Sequence, residues 1–330
     1  MAIAELEATE TLVRKERSLL QESWIRLKRN KVAVISLIFI TLLVLTAIFA
    51  NFVAPFDYAT QDLLKNNAVP KWMLFLLPEN AENYATISEK FPLGADHLGR
   101  DLLSRALYGA RVSLGFAFVA SLVSLIIGTI YGMISGYVGG RLDDIMMRIV
   151  DFLYAFPFLV VVILLQTYFK AIERRGGGGL IFDLNAQMGG MFFLFIAIGL
   201  IDWIGMARIA RGSVLQYKRM EFIEAAHAVG ASGTRIMMRH LLPNLLGPLI
   251  VAESLNIPGY IFTEAFLSFI GLGVNAPTPS WGIMISEAIQ SLRSFPNQVL
   301  IPAIALSLTT LAFNFLGDGV RDALDPRLKH

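Results

Sequence analysis

Long stretches without a charged residue constrain this chain more than any other feature. A helix needs about 20 predominantly apolar residues to cross the hydrocarbon core of a bilayer. Six apolar stretches of about that length follow one another, and only the fifth contains charge, as two glutamates: residues 32–56, 112–140, 152–169, 184–201, 241–270 and 294–317. The sequence therefore predicts an all-α membrane protein with six transmembrane helices.

The composition supports a membrane protein and excludes several other classes. Only 16% of the 330 residues are charged, against about 25% in soluble domains, and the mean hydropathy is +0.60. A net charge of +2 is too balanced to indicate a nucleic-acid partner. The absence of cysteine excludes disulfides and thiolate chemistry. The histidines are not at metal-ligand spacing, so no metal site is expected: His97, His227, His240 and His330.

The basic residues predict the orientation of the spans. Residues 1–31 carry seven Lys or Arg and precede a full-length span, so we expect a retained start rather than a cleaved signal peptide. Residues 18–31 have the spacing of an interfacial amphipathic helix, with a disordered basic leader as the alternative. With the N-terminus inside, the cytoplasmic segments hold 18 Lys or Arg in 93 residues and the external segments hold 10 in 106. Both termini are therefore predicted to be cytoplasmic.

These boundaries divide the chain into five regions. We predict a cytoplasmic amphipathic segment, a first transmembrane helix, an external loop region, a core of five transmembrane helices and a cytoplasmic tail. These regions lie at residues 1–31, 32–56, 57–111, 112–317 and 318–330. The core includes a cytoplasmic loop at 208–243.

The composition of the spans indicates where helices meet. Gly128, Gly132 and Gly136 recur every four residues, which predicts close packing against another helix of this chain or of a second membrane subunit. Glu253 and Glu264 are eleven residues apart and share one helix face. Two interpretations stay open for this pair: a proton or cation relay, or a polar lining hydrogen-bonded to neighbours. Asp151 and Asp202 lie near the ends of spans, where a charge costs little, so we expect no functional role for either.

The 208–243 loop predicts a docking element. Two short helices fit it, roughly 220–229 and 232–241, with Gly230 at a left-handed helix end and Ser232 as the next N-cap. A DNA-reading helix-turn-helix is excluded because transmembrane spans flank the loop closely.

The chain also lacks a GxxxxGK[ST] phosphate loop, HExxH and GxSxG, so we expect no catalysis and no ATP hydrolysis by this chain.

The same loop resembles the EAA motif of ABC-importer permeases, EAA-x3-G-x9-I-x-L-P. The matching residues are Glu224, Ala225, Ala226, Gly230, Leu242 and Pro243, whereas His240 replaces the usual isoleucine. Other segments resemble C-type dipeptide and oligopeptide permease subunits: FPLGADHLGRDLLSRALYGARVSL at 91–114, FLSFIGLGV at 266–274, PTPSWG at 277–282 and DALDPRLK at 322–329. The resemblance covers residues 22–329, and its least typical parts are 66–90 and the glycine run RRGGGG at 174–179.

The resemblance implies a multi-pass subunit with the type I ABC-importer permease fold in the plasma (inner) membrane. Its implied partners are a homologous B-type permease, two ABC ATPases that use ATP and Mg, an external substrate-binding protein and a peptide substrate, with no cofactor on this chain. It also implies that Glu221 and the EAA residues couple ATPase motion to transport. Residues before the second span would line or brace the external mouth, or pin the loop against that span: Asp96, Gly99, Arg100, Asp101 and Arg105.

Other functions stay open beside this one. Related subunits serve nickel, oligosaccharide or antimicrobial-peptide uptake. A secondary transporter would use Glu253 and Glu264 as ion-coupled carboxylates and would give no reason for the 208–243 loop. A scaffold or sensor would need neither an ATPase nor a gradient.

Overall fold

The computed structural model describes residues 19–79, 81–176, 178–199 and 201–324, and these residues form helices and connecting loops without a β-strand. Fourteen α-helices lie in these ranges: α1 (Leu19–Arg29), α2 (Lys31–Ile48), α3 (Ala50–Val53), α4 (Leu102–Val138), α5 (Gly140–Tyr154), α6 (Phe158–Arg174), α7 (Leu180–Gln187), α8 (Met191–Gly199), α9 (Trp203–Tyr217), α10 (Glu221–Ala228), α11 (Gly233–Arg235), α12 (Leu242–Phe269), α13 (Trp281–Ala288) and α14 (Pro296–Leu324). The start of the predicted N-terminal segment, the end of the predicted tail and His330 lie outside the described residues.

Six spans can be counted in the described part of the chain. Five helical segments are long and apolar enough to cross a membrane: Lys31–Ile48, Leu102–Val138, Met191–Tyr217, Gly233–Phe269 and Pro296–Leu324. Helices α5 and α6 together form a sixth candidate, bent by 76° between them. The prediction of an all-α protein with six apolar spans is therefore confirmed when the bent pair counts as one span.

The second span begins earlier than its uncharged stretch. Asp101 is the N-cap of α4, where its carboxylate accepts a hydrogen bond from the Ser104 backbone N–H at 2.7 Å. Arg105 and Arg111 therefore lie within the helix. Arg111 donates hydrogen bonds to the Ala47 and Ile48 carbonyls at the end of α2, both at 2.9 Å. A search for uncharged residues misses this start because the first turns of the helix contain these two charged residues.

The third and fourth spans also differ from their predicted limits. Pro157 has no N–H and disfavours helical backbone in the residue before it, so α5 ends at Tyr154 and α6 starts at Phe158. The fourth candidate runs over 191–217 rather than 184–201. Asp202, expected near a span end, therefore lies inside this span.

The glycine face of α4 packs against α9 within this chain. A Cβ on Gly128 would lie 2.6 Å from the Met206 Cβ, and a Cβ on Gly132 would lie 2.2 Å from the Ala207 carbonyl oxygen. Any side chain at these positions would push the two helices apart. Of the two partners left open by the sequence, the structure selects a helix of the same chain.

The N-terminal and C-terminal helices meet on one side of the bundle. Leu27 of α1 and Ala33 of α2 are buried against Ala323 of α14. Gly319 allows this approach, because a Cβ there would lie 2.3 Å from the Ala33 Cβ. The described part of the N-terminal segment thus includes a helix packed on the last span, a contact that the amphipathic spacing did not predict.

Candidate functional site

The short helix α10 ends in a turn that its sequence specifies. Gly230 has a φ of +79°, the left-handed conformation that glycine adopts without strain. The Gly230 N–H donates to the His227 carbonyl at 2.9 Å and the Ala231 N–H donates to the Ala226 carbonyl at 3.0 Å. These two bonds form a Schellman motif, so two carbonyl groups at the end of α10 have hydrogen-bond partners in the predicted turn.

The second predicted helix of the loop is not separate from the fifth span. Ser232 accepts a hydrogen bond from the Arg235 N–H at 3.4 Å, but the helix then continues through a π-helical turn (Ile236–Leu241) into α12. Leu242 and Pro243 are the first residues of α12. The wide turn precedes Pro243, which has no N–H to donate and whose ring crowds the preceding turn. The loop is therefore joined rigidly to a span.

Helix α10 divides its apolar residues between two sides. Ile223 and Ala226 are buried in a cluster with residues of α4, α9 and α12. Ala225 and Phe222 lie on the outer side, and Val229 is 84% exposed. Ala226, expected to fit against a partner, thus packs inside this chain, whereas Ala225 faces outward.

A depression of about 490 Å³ lies beside the outer side of α10. Its apolar part includes Phe222, Ala225 and Val229 together with Ala231 and an edge of the mostly buried Ala226. Basic groups come from Arg235, Arg239 and His240. Glu221 and Glu224 are exposed on the same helix. The exposed surface therefore combines apolar side chains with charges of both signs, which suits contact with a second protein.

Ion pairs that the sequence did not reveal fix the ends of α4, α5 and α9. Arg211 contacts both carboxylate oxygens of Asp143 at 2.6 Å, and the Ser135 hydroxyl donates to the same carboxylate. Lys218 donates to the Gly136 carbonyl at 2.8 Å. Bidentate arginine–carboxylate contacts are strong and directional. Movement of α9 would therefore carry the base of α4 and α5 with it.

The residues predicted at the external mouth form a buried cluster rather than an open lining. Arg100 contacts Asp96 at 2.6 Å, and both Arg100 and Arg105 contact Glu287 of α13 at 2.8 Å. The side chains of Arg100 and Arg105 are 4% and 1% exposed. Glu287 was not predicted, although a single carboxylate in an otherwise apolar helix is a usable signal for a buried pair. This arrangement favours bracing over substrate contact.

Two further residues of that region shape the start of α4. Gly99 has a φ of +73°, and a Cβ there would lie 1.9 Å from the Asp62 carbonyl oxygen. Burial raises the pKa of the Asp101 carboxylate, and hydrogen bonds from Ser104 partly offset this rise. In contrast, a hydrogen bond from Lys90 lowers the pKa of the neighbouring Asp62 carboxylate. Both predicted residues therefore serve the turn into the helix.

The two intramembrane glutamates are buried against α4 with hydroxyl partners. Glu264 accepts hydrogen bonds from Ser113 and Ser268, both at 2.6 Å. Glu253 accepts one from Tyr260 at 3.0 Å and one from Ser124 at 3.2 Å. These contacts match the polar-lining interpretation. No lysine or arginine of the described residues forms an ion pair with either carboxylate.

The fold and this loop together define a class: a multi-pass, all-helical membrane protein with a short, partly exposed helix in the loop before its fifth span. The class agrees with two family models. Residues 128–330 match the model for the binding-protein-dependent transport system inner membrane component. Residues 18–70 match the N-terminal TM domain of oligopeptide transport permease C. The chain therefore belongs to the family of binding-protein-dependent transport system inner membrane components.

Individual relatives match over almost the whole chain. The oligopeptide permease OppC of Bacillus subtilis is 39% identical over 99% of this chain and 96% of its own length. The dipeptide permease DppC of the same organism is 39% identical, covering 97% and 89%. The glutathione permease GsiD of Pectobacterium atrosepticum is 36% identical, covering 94% and 91%.

A solved structure shares the fold at low sequence identity. A chain of the inward-facing MetNI methionine ABC transporter superposes with a TM-score of 0.51 at 18% identity, covering 67% of this chain and 97% of that one. The match supports the permease fold alone.

Proposed function

We propose that this chain is one of two membrane subunits of an ATP-driven importer for di- and oligopeptides. It forms half of the translocation path with a homologous B-type permease in the plasma (inner) membrane, and both termini are cytoplasmic. Two ATPases that bind ATP and Mg dock beneath the two membrane subunits, and the 208–243 loop is the docking element of this chain. A substrate-binding protein delivers peptide from outside. The chain itself is non-catalytic.

The observation that carries this proposal is the outward side of α10. Phe222, Ala225 and Val229 are exposed on a helix whose other side is buried and whose ends are fixed. An exposed apolar patch on a rigid support is typical of a protein-binding surface. Because the loop continues into α12 and its core cluster includes α9, force applied to α10 reaches two spans.

The substrate class is supported by the relatives whose names specify peptide transport. Same-family uptake of nickel, oligosaccharide or antimicrobial peptides remains the alternative within the class. An ion-coupled secondary transporter is disfavoured, because Glu253 and Glu264 already have hydroxyl partners. It would also leave the exposed side of α10 without a role.

Substitution of Ala225 tests the coupling role. We expect Ala225→Trp to leave the membrane complex inserted, because the residue is exposed, but to displace the ATPase from α10. Uptake of peptide into proteoliposomes should fall at least about tenfold. A loss of about 1.4 kcal/mol in the binding free energy of the ATPase already lowers its binding constant tenfold. The assay needs the complete complex with its ATPases and binding protein.

Two control variants separate coupling from folding. Ala171→Trp places the same side chain at an exposed site on α6, away from the loop, and should leave uptake unchanged. Ala226→Trp inserts the ring into the buried cluster and should lower the melting temperature of the complex as well as uptake. Normal uptake by Ala225→Trp would contradict the coupling role.

A pull-down with mild detergent tests the assembly. Mass spectrometry of proteins that co-purify with the tagged chain should identify a second permease and ATPases with phosphate loops. Recovery of the chain alone in several detergents would count against the importer and would favour the secondary transporter.

A further inference from the structure

A large cavity lies where the bent span leaves room beside α9 and α12. Its volume is about 610 Å³, within the roughly 300–1,000 Å³ typical of small-ligand sites. Phe156 and Pro157, at the 76° bend between α5 and α6, form one wall. Asp202 and Tyr260, from two other candidate spans, contribute to the opposite walls. The cavity is therefore an open pocket lined by residues of three candidate spans.

Two glycines keep this space open. Gly205 of α9 and Gly259 of α12 both line the cavity, and a Cβ built on either would meet no atom within 4 Å. This differs from Gly128 and Gly132, where a Cβ would collide with the neighbouring helix. Close helix packing therefore explains the α4 glycines but not these two, which widen the cavity.

Asp202 is the only residue with a formal charge among the described residues that line the cavity. It occupies the N-cap position of α9, yet its side chain forms no capping hydrogen bond. Its Oδ2 atom is buried and has no hydrogen-bond partner in the described part of the chain. Buried polar atoms without partners are uncommon and call for a ligand or another explanation. The amino end of α9 favours a negative charge there.

The groups around Asp202 complete a surface suited to a cation. Tyr260 lines the cavity, and its hydroxyl donates a hydrogen bond to Glu253. Tyr154 and Phe158 add aromatic rings. Aromatic faces and carboxylates both attract organic cations. The nearby guanidinium of Arg208 already stacks on Tyr154 at 4.4 Å and pairs with Asp151 at 2.7 Å, so its own charge is compensated.

We propose that this cavity is a subsite of the translocation path that takes a protonated amine of the cargo against the Asp202 carboxylate. The identification of the cargo as peptide rests on the proposed function. The amine then comes either from the free amino terminus or from a lysine side chain. The Asp202 carboxylate has no ion-pair partner among the described residues, so an amine in the cavity can pair with it and leave again.

The charge selectivity of the cavity can be measured without peptide. The chain contains no cysteine, so Thr263→Cys places a single thiol in this chain at the cavity wall. In the assembled complex, its labelling by a cationic and by an anionic methanethiosulfonate reagent is followed by mass spectrometry. We expect Asp202→Asn to lower the cationic-to-anionic rate ratio at least tenfold. Asp183→Asn, an exposed carboxylate on α7, is the control and should leave the ratio unchanged.

Uptake into proteoliposomes then identifies the source of the amine. Trialanine, N-acetyl-trialanine and N-acetyl-Ala-Lys-Ala are compared in the native complex and in the Asp202→Asn complex, with the same binding protein. If only the uptake of trialanine falls in the Asp202→Asn complex, the site binds the amino terminus. If the uptake of the lysine peptide falls as well, the site binds amines in general. An equal loss for N-acetyl-trialanine would overturn the proposal.

The two assays separate this proposal from the proposed function. An unchanged labelling ratio in Asp202→Asn overturns the amine site whether or not peptides are imported. If the labelling ratio falls in Asp202→Asn but the native complex imports none of the three peptides, the amine site is supported and the peptide substrate is contradicted.

Discussion

Buried charged residues show how single side chains hold the segment before α4. Arg105 is 1% exposed and contacts Glu287 at 2.8 Å, while Arg100 shares the same Glu287 oxygen. Asp96 lies 3.6 Å from the Arg105 guanidinium and so compensates part of the positive charge. Removing one member of a buried ion pair is far more destabilising than the pair is stabilising, because the other charge stays buried.

Glu287→Gln tests this arrangement. The variant leaves two buried guanidiniums with Asp96 as their remaining carboxylate, and we expect a loss of about 3–5 kcal/mol in stability. The melting temperature of the purified complex, followed by size-exclusion chromatography after heating, should fall clearly. Glu79→Gln removes an exposed carboxylate of the same segment and should leave the melting temperature unchanged. Equal melting temperatures for both variants would mean that the cluster is not structural.

At the scale of elements, the contact between α4 and α9 connects the membrane core to the loop. The helices approach closely because Gly128, Gly132 and Gly136 face α9. The bidentate Arg211–Asp143 pair then ties α9 to α5 at the end of this contact. Under the proposed function, motion received at α10 would pass through this close helix contact and the Arg211–Asp143 pair.

Gly132→Ala tests the close approach. The added methyl group would lie 2.2 Å from the Ala207 carbonyl oxygen, so the helices must separate. We expect a loss of about 1–3 kcal/mol from overpacking, read as a lower melting temperature of the complex. Gly115→Ala on the same helix meets no atom within 4 Å. It should be neutral or slightly stabilising, since alanine favours helix by up to about 1 kcal/mol; a similar decrease in both variants would argue against the packing role.

At the scale of the whole molecule, the distribution of Lys and Arg predicts the orientation that the proposed function requires. Residues 57–111 should face outward and the segments at 136–148 and 208–243 should face the ATPases. In this orientation the ion-pair cluster braces the external end of the bundle, and the amine subsite lies between the two ends.

Single-cysteine labelling tests this orientation, because the chain has no cysteine of its own. Tyr84→Cys, at a side chain that is 48% exposed, should react with a membrane-impermeant maleimide added to intact spheroplasts. Arg141→Cys, at an exposed residue, should react only after the membrane is permeabilised. The reverse pattern would contradict cytoplasmic termini and with them the docking of ATPases on the 208–243 loop.

Several features follow from the sequence alone because they depend on neighbouring residues. The apolar stretches predict six spans, since length and hydropathy are properties of a continuous segment. The turn after α10 follows from Gly230, which takes a left-handed conformation at little cost. The spacing of the EAA residues indicates the family, which the family models and relatives confirm.

Only the tertiary structure decides which residues meet and which way each one faces. The Arg105–Glu287 pair joins residues 182 positions apart, and the Ser113–Glu264 bond joins residues 151 apart. No local pattern specifies such pairs, because they depend on how each helix is rotated against its neighbours. The same rotation buries Ala226 and exposes Ala225. It also places Asp202 in a cavity, because the bend at Pro157 and the continuation of α9 are set by packing and by backbone geometry.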